Sequence, residues 1–369
     1  MTIGSKFLKN CMVFINICLI ACYLPVCIIP FINTARHWYI ALPGLIFPIT
    51  CLGLIFFILI WAFLRSRWCW ISVAVLLLGT QQIVSVFGFH LPKTFESTKN
   101  ENTLRILQWN VTSWNELKKK RGSIGFRPDM LELVKEQKAD ILCFEEFFET
   151  RDTKYFPGNI PAIAQMGYPY HYYVPTITWY RDFETGVVIF SKYPIIDSLK
   201  ISFEETTLAE HLIYIDIKVK EKIFRVLTTH LQSVKFDEDD YESLSQLKHI
   251  NKEGLKDSRT IVSKLKKGYT HRYLQAEMVR QEIEKSPYPV ILCGDFNDVP
   301  NSSTYFRIKG KLQDCFLKKG SFLGRTFRFI SPTLRIDYIL ADKKFTVEQF
   351  QRIRVPYSDH YPVEADLAW

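Results

Sequence analysis

Val290-Ile-Leu-Cys-Gly-Asp-Phe-Asn297 reads as a buried strand that ends in polar chemistry. Its first four residues, Val290 to Cys293, are apolar and have the length of a short core strand. Gly294 closes the run and lets the backbone turn without a Cβ clash. Asp295 and Asn297 then stand together at the strand's carboxyl end. A carboxylate and an amide in that position are suited to holding a metal ion or orienting an anion. They also fit an Asx turn, in which both side chains merely cap the loop backbone.

Similar endings recur along the chain. Leu104 to Trp109 alternates as a strand and stops at Asn110. Asp140-Ile-Leu-Cys-Phe144 stops at Glu145 and Glu146. Gly186 to Phe190 is closed by Ser191-Lys-Tyr-Pro194. Leu212 to Val219 and Ile223 to Thr229 form an expected hairpin turning at Glu221-Lys222, and its second strand stops at His230. Arg335 to Leu340 carries Asp337, and Pro362 to Leu367 follows Ser358-Asp359-His360. Helical spacing is found in Pro128 to Ala139 and in Arg272 to Ser286. In the latter, Arg272, Gln275 and Arg280 read as scaffold. Residues 233–268 are highly charged and read as a loop or short helices over the site. Many strands with few helices imply two sheets packed face to face with helices outside.

The amino-terminal part differs in kind. No Asp or Glu precedes Glu96, and the first ninety residues carry only Lys6, Lys9, Arg36, Arg65 and Arg67 as charges. Three apolar runs, roughly residues 10–32, 39–64 and 68–89, are each long enough to span a bilayer. Lys6 and Lys9 precede the first run, and Arg65 and Arg67 lie between the second and third. The positive-inside rule then places the amino terminus in the cytoplasm and everything after the third run outside. The expected organisation is a multi-pass cell-membrane anchor over 1–90, a polar linker over 91–102 and an extracytoplasmic soluble domain over 103–369.

The formal net charge is +9, of which the apolar segment's five basic residues supply +5, leaving +4 for the remainder. That mild balance gives no nucleic-acid-binding stripe. Six of the nine cysteines lie at or before Cys69, and none has the spacing of a zinc site or disulfide framework. The cluster Tyr168-Pro-Tyr-His-Tyr-Tyr173 and Trp179-Tyr180 could stack bases or touch lipid, although packing explains it as well.

Taken together, Gln108-Trp-Asn110, Asp140 to Glu146, Gly186 to Pro194, Thr229-His-Leu231, Gly294-Asp-Phe-Asn297, Arg335-Ile-Asp-Tyr338 and Ser358-Asp-His360 resemble the endonuclease/exonuclease/phosphatase superfamily. They occur in that family's order across residues 103–369. One departure is Glu145, where the family usually has Gln before its metal-binding Glu. The resemblance implies an α/β fold, a four-layer α-β-β-α sandwich, and a phosphoester hydrolase using Mg²⁺ or Mn²⁺. It implies Glu146 as principal metal ligand with Asn110 and Asp359 near it. Asp295 and Asn297 would orient the attacking water and the phosphate. His360 would contact the phosphate or act as base with Asp337 fixing its tautomer, and His230 would face the phosphoryl oxygens or leaving group. Oxygen ligands of this kind suit those cations.

The implied substrate is a phosphoester, either a nucleic acid or a lipid head group. A phosphodiesterase or nuclease is the first reading, and a sphingomyelinase- or phosphoinositide-phosphatase-like activity the second. A reading of a different class is an inactive binding module; the filled acidic and histidine positions favour the enzyme.

Overall fold

The computed structural model describes residues 3–116, 125–179, 182–203, 211–234, 252–329 and 331–369. In the charge-poor amino-terminal part, α1 spans Ile3–Ile28 and α2 spans Phe47–Phe63. The helical stretches Lys6–Phe31 and Trp38–Phe63, 26 residues each, are long and apolar enough to cross a membrane. The third run, expected as one helix, is divided into α3 (Trp68–Leu78) and α4 (Thr80–Val86), bent by 62°. Tyr23 of α1 accounts for the bend. Its hydroxyl donates to the Leu76 carbonyl at 3.1 Å, and a Cβ on Gly79 would stand 2.0 Å from that hydroxyl. A side chain wedged into the helix ladder is an ordinary cause of a kink. Polar groups in this bundle find partners within it: Asn16 donates to Ser72 at 3.0 Å, and Gln82 to the Cys27 carbonyl at 3.0 Å.

The strands follow in chain order as β1 (Gly88–Phe89), β2 (Thr103–Asn110), β3 (Ile141–Thr150), β4 (Tyr170–Trp179), β5 (Phe183–Ser191), β6 (Ile195–Ile201) and β7 (Leu212–Val219). Then come β8 (Lys222–His230), β9 (Val290–Asp295), β10 (Gln313–Asp314), β11 (Ser321–Phe322), β12 (Asp337–Ala341), β13 (Thr346–Arg352) and β14 (Val363–Ala368). Twelve of them form two six-stranded sheets, ordered β10-β12-β9-β8-β7-β6 and β13-β14-β2-β3-β5-β4, and β1 and β11 form a two-stranded one. Each sheet has one parallel pair at its centre, β8 with β9 and β2 with β3. Parallel neighbours need a crossover, and helices supply both. Between β2 and β3 runs α5 (Arg127–Gln137); after β3 comes α6 (Asn159–Ala164); between β8 and β9 runs α7 (Lys252–Lys285). Two short helices, α8 (Ser303–Lys309) and α9 (Cys315–Lys319), follow β9.

Strand alternation sorts the side chains into layers. Leu104 and Ile106 of β2 meet Ile291 and Cys293 of β9 in the core between the sheets. Leu107 and Trp109 face the other way, onto Met130 and Val134 of α5. Val290 and Leu292 pack onto Ala276 and Val279 of α7. The result is the expected four-layer α-β-β-α sandwich.

Among the longer strands, those not anticipated from sequence are β4, β6 and β13, and all three lie at sheet edges; the two-residue strands β1, β10 and β11 were not anticipated either. The half-exposed faces of β4, β6 and β13 give mixed patterns in place of apolar runs. The charged stretch expected as a loop or short helices belongs in large part to α7, a single helix from Lys252; residues 235–251 lie outside the described residues. Arg272 and Gln275 are buried scaffold. Arg272 donates to the Gln232 carbonyl at 3.0 Å, and Gln275 accepts from the Gln232 amide at 2.9 Å. In the aromatic cluster Tyr168 is buried with its hydroxyl on the Ala139 carbonyl at 2.7 Å, Tyr172, Tyr173 and Trp179 are half-buried, and Tyr170 and His171 are exposed; Tyr180 lies outside the described residues.

The apolar bundle docks on the sandwich by one end. Gly44 accepts from Asn301 Nδ2 at 3.1 Å, Thr34 meets Ser303, and the Ser85 carbonyl accepts from Arg335 Nη2 at 2.8 Å. Strand β1 pairs with β11 beside them. These contacts come from the segment joining α1 to α2 and from the end of α4. Lys6, Lys9, Arg65 and Arg67 belong to the opposite end.

Gly294 is the tightest point in the strand carrying Asp295. Its φ is +144°, and a Cβ there would lie 2.2 Å from the Thr229 carbonyl oxygen of the parallel strand. Gly294→Ala is expected to destabilise the full-length protein by about 2 kcal/mol or more, through a backbone conformation closed to alanine and a clash that neither strand can relieve. Thermal unfolding in detergent, followed by circular dichroism, checks this; an unchanged midpoint refutes it.

Candidate active site

Register brings the polar strand ends together. Asp295 ends β9 directly opposite His230 of β8 and Asp337 of β12. In the other sheet Asn110 ends β2 opposite Glu145 of β3. His360 precedes β14, and its backbone carbonyl accepts from Trp109 Nε1 at 3.0 Å. The two sheets thus deliver their polar ends to one edge of the sandwich.

Asp295 Oδ2 is the meeting point. Asn110 Nδ2 donates to it at 3.1 Å, and His360 Nε2 and His230 Nε2 face it at 3.6 and 3.7 Å. The other oxygen, Oδ1, accepts from the Asn297 amide at 2.8 Å, so the Asx turn is also present. Asn297 has φ +50°, and its side chain donates to the Leu231 carbonyl at 3.0 Å. Burial pushes the Asp295 carboxyl up to about 6; the neighbouring histidines oppose that and Asp337 adds to it.

His360 Nδ1 lies 2.9 and 3.1 Å from the two oxygens of Asp337. An Asp337 carboxylate in that position accepts the Nδ1 proton and leaves Nε2 facing Asp295. Burial disfavours the imidazolium, but Asp337 and Asp295 outweigh it and hold His360 well above its ordinary value. Asp337 is itself held by Gln108 Nε2 at 3.2 Å and by the Thr326 hydroxyl at 3.1 Å from its amide.

The adjacent glutamates of β3 point to different places because the strand bulges between Phe144 and Phe147. Glu145 is fully buried and accepts from Thr228 Oγ1 at 2.5 Å and Gln108 Nε2 at 2.7 Å. Burial pushes its carboxyl well above the usual range against those bonds. Glu146 takes φ +48°, is half-buried, and places Oε1 3.2 Å from Asn110 Nδ2. Asp359 is tied in through Thr112 and Ser358 hydroxyls, and Arg328 holds the segment from the Ser358 carbonyl at 2.6 Å.

Two sets could hold a cation. Ligand atoms of Asp295, Asp337 and His360 lie within 4.8 Å of one another. Both oxygens of Asp337 already face His360, so this set reads as an acid–imidazole relay. The other is the set implied by the resemblance, Glu146 with Oε1 3.2 Å from Asn110 Nδ2 and Asp359 joined through Thr112; its oxygens are partly open to solvent and of the kind that suits Mg²⁺ or Mn²⁺.

Comparison with known proteins identifies the family and the fold. The Endonuclease/Exonuclease/phosphatase family matches residues 113–360. The chain belongs to that family. Its members are phosphoester hydrolases, and divalent metals are typical of them. Residues 6–86 match a Domain of unknown function, DUF8431. No curated protein matches the chain. Among solved structures it is similar to a family protein from Beutenbergia cavernae, with 18% identity, TM-score 0.52, and coverage of 73% of this chain and 72% of that one. It is also similar to the human Nocturnin catalytic domain with bound sulfate, with 19% identity, TM-score 0.51, and coverage of 73% and 94%. These likenesses show the family's fold.

The structure therefore brings Asn110, Glu146, His230, Asp295, Asp337 and His360 into one group, with Asn297 braced beside Asp295 and Asp359 linked through Thr112. The supporting residues Gln108, Glu145, Thr228, Thr112 and Thr326 were given no role from sequence. Gln108 and Thr228 sit two residues before the strand-end Asn110 and His230, on the same face, which is the signal that marks them.

The pair Asp337 and His360 yields a test. Asp337→Asn is expected to lower turnover by roughly 10²-fold or more, the scale of losing a positioned acid–base group, and His360→Ala at least as much. The double variant should be little worse than His360→Ala, because groups acting as a unit are non-additive. Turnover per folded molecule on bis-p-nitrophenyl phosphate decides; multiplying effects exclude a coupled pair.

Proposed function

We propose that this protein is a membrane-anchored, Mg²⁺- or Mn²⁺-dependent phosphoester hydrolase, a phosphodiesterase or nuclease. The observation that supports it best is the convergence of two imidazole nitrogens and one amide on Asp295 Oδ2. In this reading the carboxylate and the hydrogen-bond donors flank the place where a phosphoryl group and its attacking water would sit. In this reading Asp295, braced by Asn297, orients the attacking water. His360 and His230 face the phosphoryl oxygens or the leaving group, and Asp337 keeps the His360 ring in one tautomer. Glu146, with Asn110 and Asp359, holds the cation, which offsets charge developing on the phosphoryl oxygens. Glu145 remains a buried support.

The full-length protein in detergent should lose hydrolysis of a phosphodiester on chelation and regain it with Mg²⁺ or Mn²⁺. Glu146→Gln should remove at least 10²-fold of turnover, whereas Glu145→Gln, which exchanges the same atoms, should act mainly through stability. Full turnover in EDTA overturns the metal dependence. A panel of plasmid DNA, RNA, sphingomyelin and phosphoinositides then assigns the substrate.

The anchor in this reading is residues 1–90, joined by 91–102 to the catalytic unit 103–369. The basic residues at one end of the bundle and the sandwich at the other support an extracytoplasmic catalytic unit. Alkaline phosphatase fused after residue 95 should be active, and a cytoplasmic reporter at the same point inactive. The reverse pattern places the catalytic unit in the cytosol.

A further inference from the structure

Away from the catalytic group, a cavity of about 480 Å³ opens between β13, α9 and the segment that leaves the apolar bundle. Its walls carry His90, Lys93, Lys319, Arg352 and Arg354. The acidic residue among them, Glu348, is already engaged by Asn100 at 3.0 Å and Thr103 at 3.2 Å. The cavity is thus lined by an excess of cationic groups.

Arg352 shows that this charge lacks compensation. Its Nη1 donates to the Arg325 carbonyl at 2.5 Å, and its buried Nε has no hydrogen-bond partner among the described residues. Among the described residues, the charged neighbours that act on it are Arg354 and Arg325, with Tyr361 alongside. Burial, then Arg354 and Arg325, push the guanidinium down to about 10. Crowded, half-buried guanidinium groups are unfavourable alone, and an anion between them removes the penalty.

The position of the cavity selects the anion. The wall segment begins at His90, four residues after α4 ends at Val86. Beside it, Phe89, Leu91 and Phe322 are exposed by 72%, 83% and 60%. Large apolar side chains standing next to lysines, where an apolar helix ends, are suited to the boundary between hydrocarbon and head groups. A free phosphate would use the arginines and leave those side chains in water.

We propose that this cavity binds the phosphate-bearing head group of an anionic membrane lipid. Arg352 and Arg354 hold the phosphate, and Lys93 and Lys319 stand at the mouth. The proposal rests on the membrane-anchored reading and adds a lipid site distinct from the hydrolytic one.

The test uses full-length protein in detergent micelles, with thermal midpoints recorded in phosphatidylglycerol, phosphatidylcholine or inorganic phosphate. Phosphatidylglycerol near a hundredfold its dissociation constant should raise the midpoint by roughly 5 °C, and the other two by under about 1 °C. Arg352→Gln with Arg354→Gln should abolish the difference. Lys93→Gln with Lys319→Gln, both at exposed positions, should reduce it without harming the fold. Equal stabilisation by phosphatidylcholine, or an undiminished response in both double variants, overturns the site. A response to inorganic phosphate alone overturns the lipid as its source. Alkaline carbonate extraction of the membranes separates the two readings. Release of the native protein refutes the anchor, and with it this site. Retention without a lipid preference refutes the site only.

Discussion

A buried polar bridge joins the two sheets beneath the candidate catalytic groups, and the site depends on it. Thr228 of β8 donates to Glu145 of β3, Gln108 of β2 donates to the same carboxyl, and Gln108 also reaches Asp337 of β12. Away from the site the core between the sheets is made of apolar side chains, which set their spacing but not their sliding position. Hydrogen bonds are directional, so this bridge fixes the offset of one sheet against the other. Burial pushes the Glu145 carboxyl well above its ordinary range, which disfavours a further negative charge beneath Asp295.

The same logic extends outward. Asp337 receives the bridge on one side and meets His360 on the other, and His360 hangs from Trp109 through its backbone. Two residues before Asp337, Arg335 lies buried between Asp314 at 2.7 Å and the Ser85 carbonyl at 2.8 Å. One guanidinium nitrogen is thus held by the sandwich and another by the apolar bundle, so the bundle is part of what holds this loop. The amino-terminal helices and the hydrolase sandwich are therefore packed together through polar contacts, beyond the covalent link between them.

Much of this was legible in the sequence because strands that end in Asn, Glu, His or Asp mark one edge of a sandwich. The apolar runs of β2, β3, β8 and β9 follow from burial on both faces, which local sequence records directly. Edge strands β4, β6 and β13 were not legible, since half-exposed strands tolerate polar residues on either face. The bend at Gly79 depends on Tyr23, 56 residues earlier, and no local pattern carries such a contact. The division of labour between Glu145 and Glu146 was likewise hidden, because strand alternation gives opposite faces but a bulge decides which face is the site. The charged start of α7 lacks the apolar stripe that marks a packed helix, although its later turns supply one.

The segment after Asn110 has a further consequence. Thr112, Ser113, Trp114 and Asn115 all take φ between 45° and 56°, a left-handed turn built without glycine. Such geometry costs about 1–2 kcal/mol per residue for L-amino acids. It persists because Trp114 is fully buried edge-on to Phe144 and Phe147, while Thr112 and Asn115 bond to the chain at 357–359. The turn is a sprung latch, and its release lowers the energy of the local backbone. Warming should therefore free the Ser358-Asp359-His360 arm before the sheets come apart, so that heat silences the enzyme while the sandwich still stands.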